Sequence, residues 1–416
     1  MTIEERIIAA EAGLKDVFAR IDAVEEKGTR RVLDAFRARE VSYRHFAPTT
    51  GYGYDDIGRD TLERVYADLF GTEAALVRPQ IASGTHALSL CLFGLTLPGD
   101  HILSATGRPY DTLEQIIGIG EDTPVGSLKE MGISYSDVPL AADGSIDLAA
   151  VEAAIRPNTR LVIAQRSRGY DWRPSLMPEA FAPLAKLLHE KHPGVRLMVD
   201  NCYGEFVCEK EPSHYGADVC VGSLIKNPGG GLAPTGGYVV GTAEAVTRIA
   251  YRLTAPGIGR EVGSYAASYQ PFYQGLFMAP HTVAQALKTA CLAARVFEEL
   301  GMVTTPAADE PRADIIQAIR METPERLVAY CQGIQLASPI DSMALPEPWD
   351  MPGYTDQVVM AAGTFVAGAS VELSADAPMR APYTCYMQGG LTYAHGRIAL
   401  AMALERMVEQ GALKLE

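Results

Sequence analysis

RLMVDNCYGEFVCEKEPSHYGADVCVGSLIKNPGGGLAPTGGYVVG, residues 196–241, decides the fold. Two short apolar runs within it, Leu197 to Val199 and Asp218 to Gly222, read as buried parallel strands, because strands covered on both faces carry near-continuous hydrophobic sequence. The first ends in Asp200, and Lys226 lies just past the second, 226 − 200 = 26 residues later. An acid and a lysine thus stand at the carboxyl ends of neighbouring strands, the edge where open α/β sheets bind ligands. By themselves they fit a buried ion pair as well as a cofactor site.

Upstream, TRLVIAQRSRGYDWRPS gives another strand, Leu161 to Ala164, running into Gln165, Arg166, Ser167, Arg168 and Tyr170. Polar and cationic groups at a strand end are costly to bury unless paired, so this run points to an anionic ligand or to arginines bridging acids of the fold. Pro178 to Glu190 reads as a helix. Further upstream, Thr61 to Phe70 reads as a helix and Ala74 to Arg78 as a strand. In IASGTHALSLCLFGL a strand end meets Ser83, Gly84, Thr85 and His86 before an apolar helix. Glycine lets backbone approach an anion, the hydroxyls add donors, and the first helical turn exposes its N–H groups, so the run outlines a phosphate cup. The same run also serves as an ordinary helix N-cap. LPGDHILSATGRPYDTLEQIIG places Tyr110 just after a strand, where it can stack on a flat ring or simply pack on its neighbours. Strands alternating with helices from Ala74 to Tyr238 indicate a mostly parallel, doubly wound sheet. Acid, lysine, phosphate cup and flat aromatic together meet the needs of pyridoxal phosphate (PLP), which takes a lysine for its Schiff base and an acid beside its pyridine nitrogen.

The rest of the chain frames this domain. Ile3 to Arg39 reads as one amphipathic helix, followed by the loop HFAPTTGYGYDDIGRD with Tyr52, Tyr54 and Arg59, either a surface turn or an active-site loop reaching a partner subunit. After a helix over Ala243 to Leu253, TAPGIGREVGSYAASYQPFYQGLFMAPH reads as a hinge and substrate-side loop, and His281 to Leu300 as a long linking helix. Strands and two helices follow from Ile315, with no internal repeat. The expected division is an N-terminal helix and arm (1–60), a large cofactor domain (61–255), and a linking helix with a small C-terminal α+β domain (256–416).

Composition narrows the function. A chain of 416 residues exceeds what one core usually supports, and 48% hydrophobic residues suffice for two. A formal charge of −15 argues against a nucleic-acid surface, which needs a basic field. The N-terminus lacks the basic and apolar regions of a secretory signal, and no apolar run reaches membrane-spanning length, so a cytoplasmic protein is expected. The cysteines, Cys91, Cys202, Cys208, Cys220, Cys291, Cys331 and Cys385, are dispersed without a C-x-x-C pair and read as reduced core thiols. Cys202, Cys208 and His214 lack a familiar metal-ligand spacing, so no metal is expected.

SGTHAL, Tyr110, DNCYGEF, SLIKNPGGGLAPTGGYVVG, TAPGIG, QGLF-x-APH and YMQGGLTYAHGR together resemble the PLP-dependent aluminium-resistance or methionine-γ-lyase-like family, within the cystathionine-lyase group of the aspartate-aminotransferase fold. The likeness spans nearly the whole chain. It implies a large domain with a mostly parallel, seven-stranded type of sheet, a smaller α+β C-terminal domain, and a homodimer or homotetramer with shared sites. By position, Lys226 matches the Schiff-base lysine and Asp200 the pyridinium partner. Tyr203, in D-x-x-Y spacing, matches the tyrosine at the cofactor's phenolic oxygen. Ser83, Gly84, Thr85 and Ser223 match the phosphate donors, and Tyr110 the stacking aromatic. Arg380 is the candidate for gripping a substrate carboxylate, against the reading of a surface arginine before Pro382. The family's N-terminal tyrosine and arginine, which reach the neighbouring subunit's phosphate, are followed only loosely by GYGYDDIGRD, where Tyr52 or Tyr54 takes the tyrosine's part.

The implied reaction is elimination of a β- or γ-substituent from an amino acid, with a carbon–sulfur lyase of methionine or cystathionine type in front. Lys226 is expected to have a lowered pKa in a partly desolvated pocket and to move protons. A halide or oxygen leaving group, or transamination, would use the same residues. A metal-tolerance binding protein is the non-enzymatic alternative.

Overall fold

The computed structural model describes residues 1–120, 124–351 and 356–415. The N-terminal stretch, expected as one helix, forms two: α1 (Ile3–Ala12), opened by a Thr2–Glu5 capping box, and α2 (Lys15–Ala38), with the break at Gly13 and Leu14. The loop expected over 45–60 ends early. Asp56 accepts the Arg59 amide at 3.0 Å, and this cap starts α3 (Ile57–Phe70) four residues before Thr61.

The chain then forms β1 (Ala74–Arg78), α4 (Gly84–Leu95), β2 (His101–Ser104), α5 (Asp111–Ile117), β3 (Ser134–Asp137), α6 (Leu148–Ala154) and β4 (Thr159–Gln165). It continues through α7 (Ala182–Lys191), β5 (Arg196–Asp200), β6 (Val219–Ser223), β7 (Gly237–Gly241) and α8 (Ala243–Leu253). Their strands make one sheet in the order β1-β7-β6-β5-β4-β2-β3. From β6 across to β3 all neighbours are parallel, whereas β7 is antiparallel to both β1 and β6. Side chains alternate between two cores: Leu197 and Val199 face one layer of helices, and Met198, between them, faces the other. Burial on both faces is why the strands read as continuous apolar runs; each buried Leu or Val contributes about 1.5–3 kcal/mol.

The second half holds α9 (Gln270–Glu299), β8 (Thr304–Thr305), β9 (Ile316–Arg320), α10 (Pro324–Leu336), β10 (Val358–Ala361), β11 (Ser374–Pro378), β12 (Thr384–Gln388) and α11 (Tyr393–Glu409). Its sheet is antiparallel throughout, in the order β10-β11-β12-β9-β8. Residues from α9, α10 and α11 fill its core, joined by Ile7 and Ala10 of α1 and by Leu14 and Val17.

Helix α9 begins eleven residues before the expected His281, so the latter part of the expected hinge loop is helical. Pro280 lies inside it, where Gly28 of α2 comes so close that an added Cβ would lie 3.1 Å from the proline Cβ. One turn earlier, Gly275 packs against the turn that follows Lys226. A Cβ on Gly275 would lie 2.2 Å from the Gly229 carbonyl oxygen, and one on Gly230, at φ 53°, would lie 2.3 Å from the Gly275 oxygen. Glycine in QGLF and in NPGGG therefore serves one close backbone crossing that sets where Lys226 emerges.

Candidate active site

Strand order places the sequence-predicted residues side by side. β5 ends in Asp200, β6 beside it ends in Ser223, and Lys226 follows three residues later. Ser83 caps α4, its hydroxyl accepting the His86 amide at 3.0 Å, and Gly84 lies against the end of β6, so that an added Cβ would meet Ser223 Cβ at 3.3 Å and Cys202 Sγ at 3.5 Å. Ser83, Gly84, Thr85, Tyr110, Asp200, Tyr203, Ser223, Lys226 and Arg380 all line one cavity of about 460 Å³. Of the residues proposed from sequence, Tyr52 and Tyr54 do not line it. Their rings, 5.5 Å apart, are 72% and 62% exposed on a loop that is pinned by the Gly263 amide on the Tyr52 carbonyl and the Ser264 hydroxyl on the Gly51 carbonyl.

The ionisable groups are tightly coupled. Asp200 is buried; its Oδ1 accepts the Cys202 amide at 3.1 Å, and burial raises its pKa against the opposing pull of Lys226. The Lys226 ammonium sits 3.9 Å above the centre of the Tyr203 ring. Desolvation by itself would lower its pKa, but Cys202, Tyr203, Tyr110 and Asp200 outweigh that and hold it well above the ordinary lysine range. The expected lowering is therefore not what these surroundings produce: the groups around the ammonium overcome its burial. Burial pushes the Tyr203 phenol up to about 12, with Lys226 opposing. Tyr110 is tied to the cup, its Oη 2.7 Å from Thr85 Oγ1.

Residues 201–206 wrap beneath the lysine in a conformation that needs support. Tyr203 at φ 71° and Phe206 at φ 62° occupy left-handed backbone without being glycine, at a cost of about 1–3 kcal/mol each. A fully buried ion pair holds them. Arg166 Nη1 donates to Glu211 (3.1 Å), Asn201 Oδ1 (2.8 Å) and the Gly204 carbonyl (2.8 Å), while Glu211 Oε1 accepts the Phe206 amide (3.0 Å). Of the arginines that the sequence placed at a strand end, Arg166 is thus a bridge within the fold. Arg168 goes the other way and lines the cavity, together with Arg173, which sequence reasoning passed over. Arg173 donates to the carbonyls of Gln165, Ser167 and Pro174 and straps this segment. Arg380 pairs with Asp356 at 3.1 Å, donates to the Tyr170 carbonyl at 3.1 Å, and its side chain is 52% exposed at the cavity's mouth.

Buried Asp376 was not singled out from sequence either. It accepts from Gln388 at 3.0 Å, and burial raises its pKa against the pull of Tyr170, Gln388 and Lys226. Its only sequence signal is an acid inside the strand pattern ELSADAP. Among the described residues no group of three or more His, Cys, Asp or Glu could hold a metal ion, and no helix is long and apolar enough to cross a membrane.

The profile of the methionine gamma-lyase family matches residues 3–408. The chain belongs to that family. The uncharacterized protein YnbB of Bacillus subtilis (strain 168) is 51% identical over 408 residues, covering 98% of this chain and 97% of the relative. The crystal structure of a carbon-sulfur lyase involved in aluminum resistance from Clostridium novyi NT superposes with a TM-score of 0.94 at 46% identity, covering 97% of this chain and 96% of that one. The pyridoxal-5'-phosphate dependent protein YhfS from Escherichia coli, 18% identical, covers 94% of this chain and 97% of its own with a TM-score of 0.62, a likeness of fold. This chain has the expected fold, a mostly parallel sheet flanked by helices, and shares it with that pyridoxal-5'-phosphate dependent protein.

Proposed function

We propose that this chain is a PLP-dependent lyase that eliminates a β- or γ-substituent from an amino acid, and that the bond it breaks is carbon–sulfur, as in methionine or cystathionine. The observation that carries this reading is the convergence of Lys226, Asp200, Tyr110, Tyr203 and the Ser83–Thr85 and Ser223 hydroxyls on one cavity of about 460 Å³.

The donor set fits the cofactor. The absence of a Cβ at Gly84 leaves room at the start of α4 beside the Ser223 and Thr85 hydroxyls, an anion site suited to a phosphate. Asp200, on the adjacent strand end, is the acid for a pyridine nitrogen, and Tyr110 offers a flat apolar face. When bound, PLP supplies a sink for negative charge developing at the substrate's Cα.

The chain's own residues supply the rest. Asp200 as a carboxylate favours a proton on a nitrogen placed opposite it. Lys226 Nζ would take the proton from the substrate's Cα as a free amine and return it as the ammonium. Tyr203, whose phenol keeps its proton to about pH 12, orients that ammonium through its ring face and remains a hydrogen-bond donor throughout the neutral range. Asp200 is buried, which strengthens its interaction with a charge placed opposite it. A second copy of the chain bringing Tyr52 or Tyr54 to the mouth is part of this proposal, as is a cytoplasmic, homo-oligomeric enzyme.

The test is a product screen on purified holoprotein. Ammonia, a 2-oxo acid and a thiol released from methionine, cystathionine or cysteine without an added acceptor support elimination of sulfur. Stoichiometric pyridoxamine phosphate would overturn it in favour of transamination. A colourless protein that stays so after incubation with PLP, or a visible-edge band surviving in Lys226→Ala, would overturn the cofactor assignment itself.

A further inference from the structure

Four arginines line the cavity, and three are already engaged. Arg108 pairs with Glu114, with Nη2 at 2.7 Å from Oε2. Arg173 is spent on three carbonyls, and Arg380 on Asp356 and the Tyr170 carbonyl.

Arg168 differs. It is 2% exposed, yet among the described residues its guanidinium makes no hydrogen bond and no ion pair, and its Nε and Nη1 are buried without a partner. Asp314, the acid whose charge acts most on Arg168, forms its hydrogen bonds to backbone: it accepts the Arg168 amide (3.3 Å) and the Ile316 amide (3.0 Å) through its two oxygens. Burial pulls the guanidinium's pKa below its ordinary value, Asp314 opposes this, and the neighbouring charge of Arg312 adds to it. A buried cation left without a counter-ion is among the costliest arrangements in a protein, and one that borders a cavity is relieved by an anion bound there.

Topology indicates which anion. The phosphate donors stand at the start of α4 and the end of β6, on one side of Asp200. Arg168 follows β4, the strand on the other side of β5, with the Arg166 amide donating to the Asp200 carbonyl at 3.0 Å. Neighbouring strands lie about 4.8 Å apart, so an anion that met Arg168 would sit across Asp200 from the phosphate donors, and the carboxylate of a bound amino acid suits that place better than the phosphate that the cup would hold.

We infer that Arg168, rather than Arg380, grips the α-carboxylate of the amino-acid substrate, through the fork of a buried guanidinium that has no partner within the fold. This rests on the amino-acid lyase reading.

The test compares L-norleucine, which lacks a leaving group on its β- and γ-carbons, with its amide, which lacks the carboxylate. Dissociation constants for both are measured calorimetrically on wild-type, Arg168→Gln, Arg168→Lys and Arg380→Gln holoproteins. Both ligands are titrated into the same protein, so a partly destabilised variant loses affinity for both and its ratio still reports. Wild type should prefer the carboxylate by about 30-fold or more, the scale of a desolvated charge pair. Arg168→Gln should bring that preference to within about threefold, Arg168→Lys should keep an intermediate preference because it keeps the charge and loses the fork, and Arg380→Gln should keep most of it. A preference retained in Arg168→Gln and lost in Arg380→Gln would overturn the assignment and leave the lyase reading standing. Binding of neither ligand by wild-type holoprotein would overturn the amino-acid reading and the assignment with it.

Discussion

Replacing Gly275 by alanine should destabilise the protein, although helix propensity alone predicts the opposite. Gly275 lies inside α9, where glycine costs about 1 kcal/mol relative to alanine. The built Cβ, however, would stand 2.2 Å from the Gly229 oxygen and 2.9 Å from its carbonyl carbon. Ordinary contact begins at 3.4 Å, so the turn must give by 3.4 − 2.2 = 1.2 Å. Both obstacles are backbone, so no rotamer change relieves them, and overpacking of this kind costs roughly 1–3 kcal/mol or more. The net loss should be about 2 kcal/mol after the propensity gain. The displaced turn includes the Gly229 amide that donates to the Lys226 carbonyl at 3.1 Å, so the lysine's placement should suffer too. Gly28 in α2 is the internal control: its Cβ would meet the Pro280 side chain at 3.1 Å, an overlap of only 3.4 − 3.1 = 0.3 Å. Urea unfolding of the two alanine variants should give a lower midpoint for Gly275→Ala and an unchanged or slightly higher one for Gly28→Ala. A Gly275→Ala protein at least as stable as wild type would refute the idea that this crossing positions the lysine turn.

Glu211→Gln should cost about 3–5 kcal/mol by leaving the buried Arg166 charge uncompensated, read as a loss of urea midpoint and faster proteolysis across residues 201–211. Buried Glu205, whose Oε1 accepts the Tyr238 hydroxyl at 2.7 Å, has its pKa pushed up to about 8, chiefly by burial, with Glu211 adding and Tyr238 and Lys226 opposing. The folded state therefore holds a proton that the unfolded state releases above about pH 4.3, so this group lowers stability progressively as pH rises from there to about 8. Glu205→Gln should remove that slope, and its stability relative to wild type should improve between pH 5 and pH 8; a difference that is flat with pH would contradict the assignment. Tyr110→Phe keeps the ring and loses the 2.7 Å contact with Thr85, so PLP affinity by equilibrium dialysis should fall about fivefold, the worth of one hydrogen bond near 1 kcal/mol.

Much of the candidate site was legible in sequence because its parts sit at the ends of elements that announce themselves. Asp200, Ser223 and Lys226 follow short runs buried on both faces, and Ser83 to Thr85 introduce an apolar helix, so local pattern placed them all near one sheet edge. Element boundaries were less legible where a single side chain decides them: the Asp56 cap starts α3 inside what reads as a Gly- and Asp-rich loop. Proline removes a donor and crowds the preceding turn, so Pro280 inside α9 runs against local preference. Packing outweighs that local preference here, with Phe272, Tyr273 and Leu276 buried on the preceding turns.

Local sequence was enough for the strand that ends in Asp200, the lysine that follows its neighbour and the cup before α4. These are properties of a few adjacent residues. Tertiary structure alone decided which charges are spent and which are free. Arg166 and Arg168 stand two positions apart in one polar run, yet one meets Glu211 across 45 residues and the other meets no carboxylate among the described residues. Arg380 finds the Tyr170 carbonyl across 210 residues. Pairing of charges depends on distance in space and on exclusion of water, and neither is written in the spacing of residues along the chain.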